Sequence, residues 1–110
     1  MKLNTLVLTG LLGLAGLSVL SAKSYDIILN APAQAGTLTL PSGEYKVKLE
    51  GANALFTKTN TGEKFTAPVK VSNANRKFDY TAVDEVTKGG TEYVKAIELG
   101  GSTTELEFAD

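Results

Sequence analysis

The feature that most constrains the fold of this chain is a strict alternation of apolar and polar residues. From Glu44 to Glu50 every second side chain is apolar, so Tyr45, Val47 and Leu49 share one side of an extended backbone. A period of two indicates a β-strand with one buried and one solvated face, as antiparallel sheets have. Similar patterns predict further strands at residues 24–30, 37–40, 54–59, 64–72, 77–86, 91–99 and 105–108.

Turn-forming residues separate these segments. Pro41-Ser42-Gly43 combines a fixed φ with a residue that tolerates a positive φ, and similar turn signals occur at 51–53, 60–62, 73–75, 88–90 and 100–102. Short strands at this spacing predict an all-β fold, either a single small antiparallel β-sandwich of the immunoglobulin-like kind or a partly open barrel, with seven or eight strands. We expect Pro68 to mark an edge strand or a bulge and residues 31–36 to form a loop.

The first 22 residues have the composition of an export signal. Lys2 precedes an uncharged run from Leu3 to Ala22 that contains eight leucines and ends in small residues. This order predicts an N-terminal signal helix over residues 1–22, cleaved between Ser21 and Ala22 or just after Ala22. The predicted location is therefore secreted or periplasmic, with no stable membrane span after cleavage. The alternative is a membrane anchor formed by an uncleaved segment 3–22, because 20 apolar residues can just cross a bilayer. Mass spectrometry of the native protein tests the prediction, and a chain that still begins at Met1 would contradict it.

Residues 23–110 form the one predicted domain, and their composition excludes several functions. This segment carries 10 basic and 12 acidic side chains, a net charge of −2, which does not favour nucleic acid as a partner. The whole chain has no Cys, His or Trp. It therefore lacks imidazole bases, thiolate nucleophiles and disulfides, and stability must come from strand patterning and core packing.

No catalytic or metal-binding pattern stands out in this domain. The serines lie outside known nucleophile motifs, and the neighbours Asp84 and Glu85 would point to opposite faces of a strand. A loose cation site of Asp79, Asp84 and Glu85 is conceivable, but no spacing requires it. The sequence thus predicts a protein that is not an enzyme, with no catalytic residues, no metal and no cofactor.

Two binding functions remain as alternatives to a purely structural domain. Exported β-domains can bind carbohydrate, but most aromatic residues here occupy the apolar phase of a strand and no Trp offers a stacking platform. They can also assemble through exposed sheet edges, and the terminal segments 24–30 and 103–108 are expected at edges. Because Ile27, Ile28 and Leu29 are consecutive apolar residues, we expect this strand to be buried on both faces.

The hairpin from Leu40 to Lys48 resembles the L-x-x-G-x-Y-x-V hairpin of small secreted bacterial proteins of unknown function. Residues 77–83 and 97–102 are similar to later segments of that group, and the hairpin also resembles those of immunoglobulin-like and carboxypeptidase-regulatory-like sandwiches. The resemblance implies an exported β-domain and transfers no functional residue. The leading hypothesis is an exported, non-catalytic structural or binding β-domain, whose partner is an unknown protein or a second copy.

Overall fold

Ten β-strands arranged in two packed sheets make up the fold of residues 23–109. The computed structural model describes residues 23–109, and no helix occurs among them. No helix in this range is long and apolar enough to cross a membrane. The predicted signal peptide, residues 1–22, lies outside the described residues. The strands are β1 (Ser24–Leu29), β2 (Ala33–Ala35), β3 (Leu38–Leu40), β4 (Gly43–Glu50), β5 (Asn53–Lys58), β6 (Lys64–Pro68), β7 (Lys70–Asn73), β8 (Ala82–Lys88), β9 (Thr91–Glu98) and β10 (Thr104–Glu107).

The first sheet has four antiparallel strands in the order β1-β4-β5-β6. Its alternating residues bury one face, as the pattern of β4 predicts, so Tyr45, Val47 and Leu49 are all buried. The chain leaves this sheet at Pro68, the last residue of edge strand β6, which confirms its expected position at an edge. The next backbone amide, at Val69, donates a hydrogen bond to the carbonyl oxygen of Ala52 (2.9 Å) and fixes the crossing point.

The second sheet has six strands and is organised around β9. The hairpin partner β8 runs along one side of β9, whereas β2 and β10 share the other side, with β3 and β7 beyond them. The register between β8 and β9 shifts between Val94 and Ala96, which makes Lys95 a bulge. Because the bulge resets the alternation, Val94 and Ile97 are both buried although they are three residues apart.

The core lies between the two sheets and consists almost wholly of apolar side chains. Within the core the ring centroid of Phe56 lies 5.9 Å from that of Phe108, the residue that follows β10. Phe56 also makes an edge-to-face contact with Tyr45, with ring centroids 6.2 Å apart. The largest side chains with almost no exposed surface are Tyr45, Phe56, Leu29, Leu40, Ile97, Leu99, Leu106 and Val47. The predicted all-β fold is confirmed as a β-sandwich-like pair of sheets.

Several predicted boundaries are wrong. The prediction that residues 31–36 form a loop is wrong, because Ala33–Ala35 forms strand β2. This strand pairs with β9 on the same side as β10. The single strand predicted over 64–72 is two strands in different sheets, and the strand predicted over 77–86 begins only at Ala82. Ten strands therefore replace the predicted seven or eight in the described part of the chain.

The two terminal strands differ from each other. The expected edge position is confirmed for β1, which pairs only with β4 among the described residues, but not for β10, which lies between β9 and β7. The expectation that β1 is buried on both faces is also wrong, because Ile28 is 62% exposed. A strand at an edge of a two-layer fold has one face toward solvent, whatever its composition.

Two buried tyrosines on neighbouring strands differ in hydrogen bonding, which gives a matched pair for mutation. The Tyr45 hydroxyl donates a hydrogen bond to the carbonyl oxygen of Pro41, whereas the buried Tyr25 hydroxyl has no partner among residues 23–109. Burial raises the pKa of both phenols above the ordinary value of 10.0, and Glu63 adds to the rise at Tyr45.

We expect Tyr45→Phe to lower the free energy of unfolding by about 1 kcal/mol, because it removes the part-buried hydrogen bond from the phenol to the Pro41 carbonyl oxygen. Tyr25→Phe is expected to leave stability unchanged or to raise it by up to about 1 kcal/mol, since it removes an unpaired buried hydroxyl. Urea unfolding followed by circular dichroism measures both. Equal losses in the two variants would contradict the assignment.

Candidate functional site

A broad cleft lies on the solvent-facing side of the six-stranded sheet. Its volume is about 950 Å³. One wall is the loop that connects β7 to β8, residues 74–81, and the other is formed by Ala82, Asp84 and Glu98 of β8 and β9. We call this surface the outer cleft and its first wall the 74–81 loop.

Backbone hydrogen bonds fix the 74–81 loop to the turn between β9 and β10. The amide of Phe78 donates to the carbonyl of Ser102 (2.9 Å), and the amide of Gly101 donates to the carbonyl of Phe78 (2.8 Å). At the far end of the loop, the amide of Gly100 donates to the Thr81 hydroxyl (3.0 Å). The loop is therefore held at both its middle and its end, and the cleft has a defined wall.

Gly100 allows the loop to lie this close. A β-carbon placed on Gly100 would come within 2.5 Å of the Thr81 amide nitrogen and 2.6 Å of the Tyr80 carbonyl carbon. Both neighbours are backbone atoms, so no side chain could rotate away. A glycine that reads as a simple turn residue in the sequence is thus the packing surface for the loop that carries Tyr80.

Tyr80 is the exposed aromatic residue of the cleft, with 73% of its surface open to solvent. Its position contradicts the expectation that residues 77–86 form one strand. By contrast Tyr25, Tyr45, Phe56 and Phe108 lie in the core, as their apolar phase predicts. The rest of the cleft mixes charges, with Arg76 and Lys77 on the loop opposite carboxylates on the sheet.

Two carboxylates of the cleft, Asp84 and Glu98, form a cluster with Glu105, which lines a neighbouring hollow. Asp84, Glu98 and Glu105 each have a carboxylate oxygen within 4.8 Å of the other two. The strand pairing explains this acidic cluster, because Glu98 lies directly opposite Glu105 and Asp84 is the diagonal neighbour on the other side of β9. Carboxylate oxygens at such spacing are ligands of the kind that Ca²⁺ and Mg²⁺ accept.

The loose set considered from the sequence is not brought together. Asp84 belongs to the acidic cluster and Asp79 lines the outer cleft, but Glu85 lines a different hollow, between β8 and β1. Glu98 and Glu105 lie in segments predicted only as strands, residues 91–99 and 105–108. The alternation shows which face they occupy, but their proximity depends on the register of β8, β9 and β10, which the sequence does not specify.

Burial, together with the crowding of like charges, changes the titration of Glu98. Burial, followed by the negative charge of Asp84, a hydrogen bond with Asp84 and the charge of Glu105, raises the pKa of Glu98 above its ordinary value of 4.5. Because the folded-state pKa lies above the unfolded one, the folded state is favoured most below about pH 4.5. That contribution is lost as the pH rises through the folded-state pKa.

We therefore expect Glu98→Gln to raise the free energy of unfolding by about 0.5 kcal/mol at pH 7, where the ionised cluster repels itself, with little change at pH 4. Urea unfolding at the two pH values measures the effect. Glu50→Gln, at an exposed position on the other sheet, is the control and should show no such difference. A Glu98→Gln variant that is less stable than the parent at pH 7 would contradict a repulsive cluster.

Comparison of the chain with known protein families, with curated protein sequences and with solved structures finds no match.

Proposed function

We propose that this chain is an exported, non-catalytic binding domain and that its ligand-binding surface is the outer cleft. The observation that carries the proposal is the cleft itself, a hollow of about 950 Å³ with a hydrogen-bonded loop as its wall and an exposed Tyr80 at its side. An aromatic ring left in solvent by a loop that is fixed in place is a surface suited to recognition.

The ligand class that fits this lining best is carbohydrate. A sugar ring presents C–H groups that can pack on an aromatic face, and its hydroxyl groups both donate and accept hydrogen bonds. Tyr80 supplies the aromatic face, Asp84 and Glu98 supply acceptors, and Arg76 supplies donors. The chain has no Trp, but an exposed tyrosine also offers an aromatic face. The absence of Trp is therefore a weaker argument against carbohydrate binding.

The non-catalytic part of the proposal is supported by composition. The chain has no His and no Cys, so a nucleophile would have to be activated without the two side chains that serve most often. Export is supported by the sequence of residues 1–22. The immunoglobulin-like classification belongs to this proposal as well, supported by two packed sheets of mainly antiparallel strands.

The test is a titration of ¹⁵N-labelled protein with a panel of soluble bacterial and plant polysaccharides, followed by NMR. We expect one class to shift the amide signals of residues 74–84 and 98, and Tyr80→Ala to weaken that binding at least tenfold, whereas Tyr80→Phe retains it because the ring remains. The control is Val71→Ala, an exposed apolar residue outside the cleft.

Two results would contradict the proposal. If every polysaccharide leaves these signals unchanged, the carbohydrate assignment fails, and if the shifts map to another surface, the cleft is not the binding site. The molecular mass of the polysaccharide is also measured after incubation with the protein, because cleavage of the polysaccharide would show that the domain is catalytic.

A further inference from the structure

In the described part of the chain, β8 is an edge strand that pairs with β9 alone. None of its side chains is fully buried, whereas β9 buries three. Val83 packs partly against the core, and the Thr87 hydroxyl donates a hydrogen bond to Glu92 of β9 (2.8 Å). A strand with so few buried contacts depends for its attachment on the side-chain pairs that it forms with its neighbour.

Two pairs of carboxylates link β8 to β9, one on each face of the hairpin. The register makes Asp84 and Glu98 diagonal neighbours, and their carboxylate oxygens lie within 4.8 Å of each other. It places Glu85 and Glu92 in the same diagonal relation further along the hairpin. Because Asp84 and Glu85 are consecutive in an extended strand, their pairs lie on opposite faces. Two ionised carboxylates repel each other at such positions, whereas a protonated one can donate a hydrogen bond to its partner.

No ion pair neutralises the Asp84–Glu98 pair within residues 23–109. Glu105 of β10 completes the acidic cluster beside it. The other charged residues that line the outer cleft and the neighbouring hollow are Arg76, Lys77, Asp79, Lys95 and Glu107. Of the three bases in this set, none is ion-paired with either carboxylate. The pKa of Glu98 is accordingly raised, by burial first and then by Asp84 and Glu105.

The Glu85–Glu92 pair also faces acidic groups. Asp26 of β1 and Glu44 of β4 line the same hollow as Glu85, and Lys46 of β4 is engaged by Asp26 at 2.8 Å. On the hairpin itself, the Nζ atom of Lys88 lies 5.5 Å from the centroid of the Tyr93 ring. Burial raises the pKa of Glu85, and the charge of Glu92 and a hydrogen bond with Glu92 raise it further.

We propose that the β8–β9 hairpin is a pH-sensitive edge of the fold: β8 is held on β9 at acidic pH, where each carboxylate pair shares a proton, and opens locally more often at neutral pH, where both pairs are ionised. The folded-state pKa of Glu85 and of Glu98 lies above the ordinary value of 4.5. Attachment of β8 is therefore favoured most below about pH 4.5, and this contribution is lost as the pH rises through the folded-state values.

Opening of β8 alters a wall of the outer cleft, because Ala82 and Asp84 belong to both. A pH-dependent affinity of the cleft for its ligand is the expected consequence. That consequence rests on the proposed function, whereas the opening of the hairpin itself requires no ligand.

The test is hydrogen exchange of backbone amides, followed by NMR in the full-length gene product at pH 4 and pH 7. We expect the protection factors of the β8 amides to fall about fivefold between the two pH values, since two like-charge pairs each change the opening equilibrium by about twofold. Exchange of these amides should not accelerate in about 1 M urea, because a local opening exposes little new surface.

A double variant assigns the effect to the carboxylate pairs. Glu85→Gln combined with Glu98→Gln leaves one carboxylate in each pair and is expected to remove the pH dependence. Glu50→Gln combined with Glu63→Gln changes two exposed glutamates outside the hairpin, and this matched control should retain it.

Three results would overturn the proposal: β8 protection that is the same at both pH values, a pH dependence that survives in the double variant, or β8 exchange that accelerates in urea as global unfolding does. Because the exchange is measured without polysaccharide, these results are separate from success or failure of binding at the outer cleft.

Discussion

Replacing Phe56 by alanine is expected to lower the free energy of unfolding by about 4 kcal/mol, the usual loss for a large aromatic side chain deleted from a closed core. Phe56 has no exposed surface and contacts both Tyr45 of its own sheet and Phe108, which follows β10 of the other sheet. Its removal leaves a cavity at the contact between the sheets. A domain of this size has about 5–15 kcal/mol of stability to lose, so the variant is expected to be close to unfolding at 37 °C.

Phe65→Ala is the matched control. Phe65 also makes an edge-to-face contact with Tyr45, at a centroid distance of 6.2 Å, but it lies half-buried on edge strand β6. We expect a loss of about half that of Phe56→Ala, because part of the ring is already in water and less cavity remains. Urea unfolding by circular dichroism compares the two. Equal losses would mean that the core is not centred on Phe56.

Replacing Gly100 by alanine is expected to destabilise the domain by about 2 kcal/mol and to displace Tyr80, because the added methyl group overlaps backbone atoms that cannot rotate away. The contact distance of 2.5 Å to the Thr81 nitrogen requires the loop to move. Movement should expose the backbone after Arg76 and Lys77, so limited trypsin digestion is expected to cleave the 74–81 loop faster than in the parent.

Gly101→Ala separates this steric effect from ordinary backbone strain. Gly101 has a φ of 78°, and a β-carbon there would meet nothing within 4 Å. We expect a loss of about 1 kcal/mol from the unfavourable backbone conformation, without faster cleavage of the loop. If Gly101→Ala opens the loop as much as Gly100→Ala does, contact with Gly100 is not what holds Tyr80 in place.

Where the sequence alternates strictly, it predicts both a strand and its buried face. The strand from Gly43 to Glu50 and the buried positions Tyr45, Val47 and Leu49 follow directly from the period of two. Pro68 also lies at an edge as expected, because a residue without an N–H cannot complete a central ladder. These features depend only on neighbouring residues along the chain.

The candidate site was much harder to predict because it depends on contacts between distant segments. Tyr80 has the same local pattern as a core aromatic residue, but its loop packs on Gly100 and is hydrogen-bonded to the turn between β9 and β10, and its ring lies in solvent. The acidic cluster likewise requires the pairing of Glu98 with Glu105 and the bulge at Lys95, which sets the position of Asp84. Neither the register nor the bulge has a local signal in the sequence.

The sequence by itself determined the all-β fold class, predicted for residues 23–110 and observed over residues 23–109, and the absence of disulfides. Period-two alternation, regular turn signals and the lack of cysteine are properties of composition and order alone. The tertiary structure decided which strands are neighbours. In that structure β1 lies at an edge with Ile28 in solvent, and β10 lies in the interior of its sheet. Ala33–Ala35 pairs with a stretch of β9 that β10 does not cover. The physical reason is that all strands present the same backbone hydrogen-bonding groups, so these groups do not specify which strands pair. The pairing depends on side-chain packing and on chain connections, which involve residues far apart in sequence.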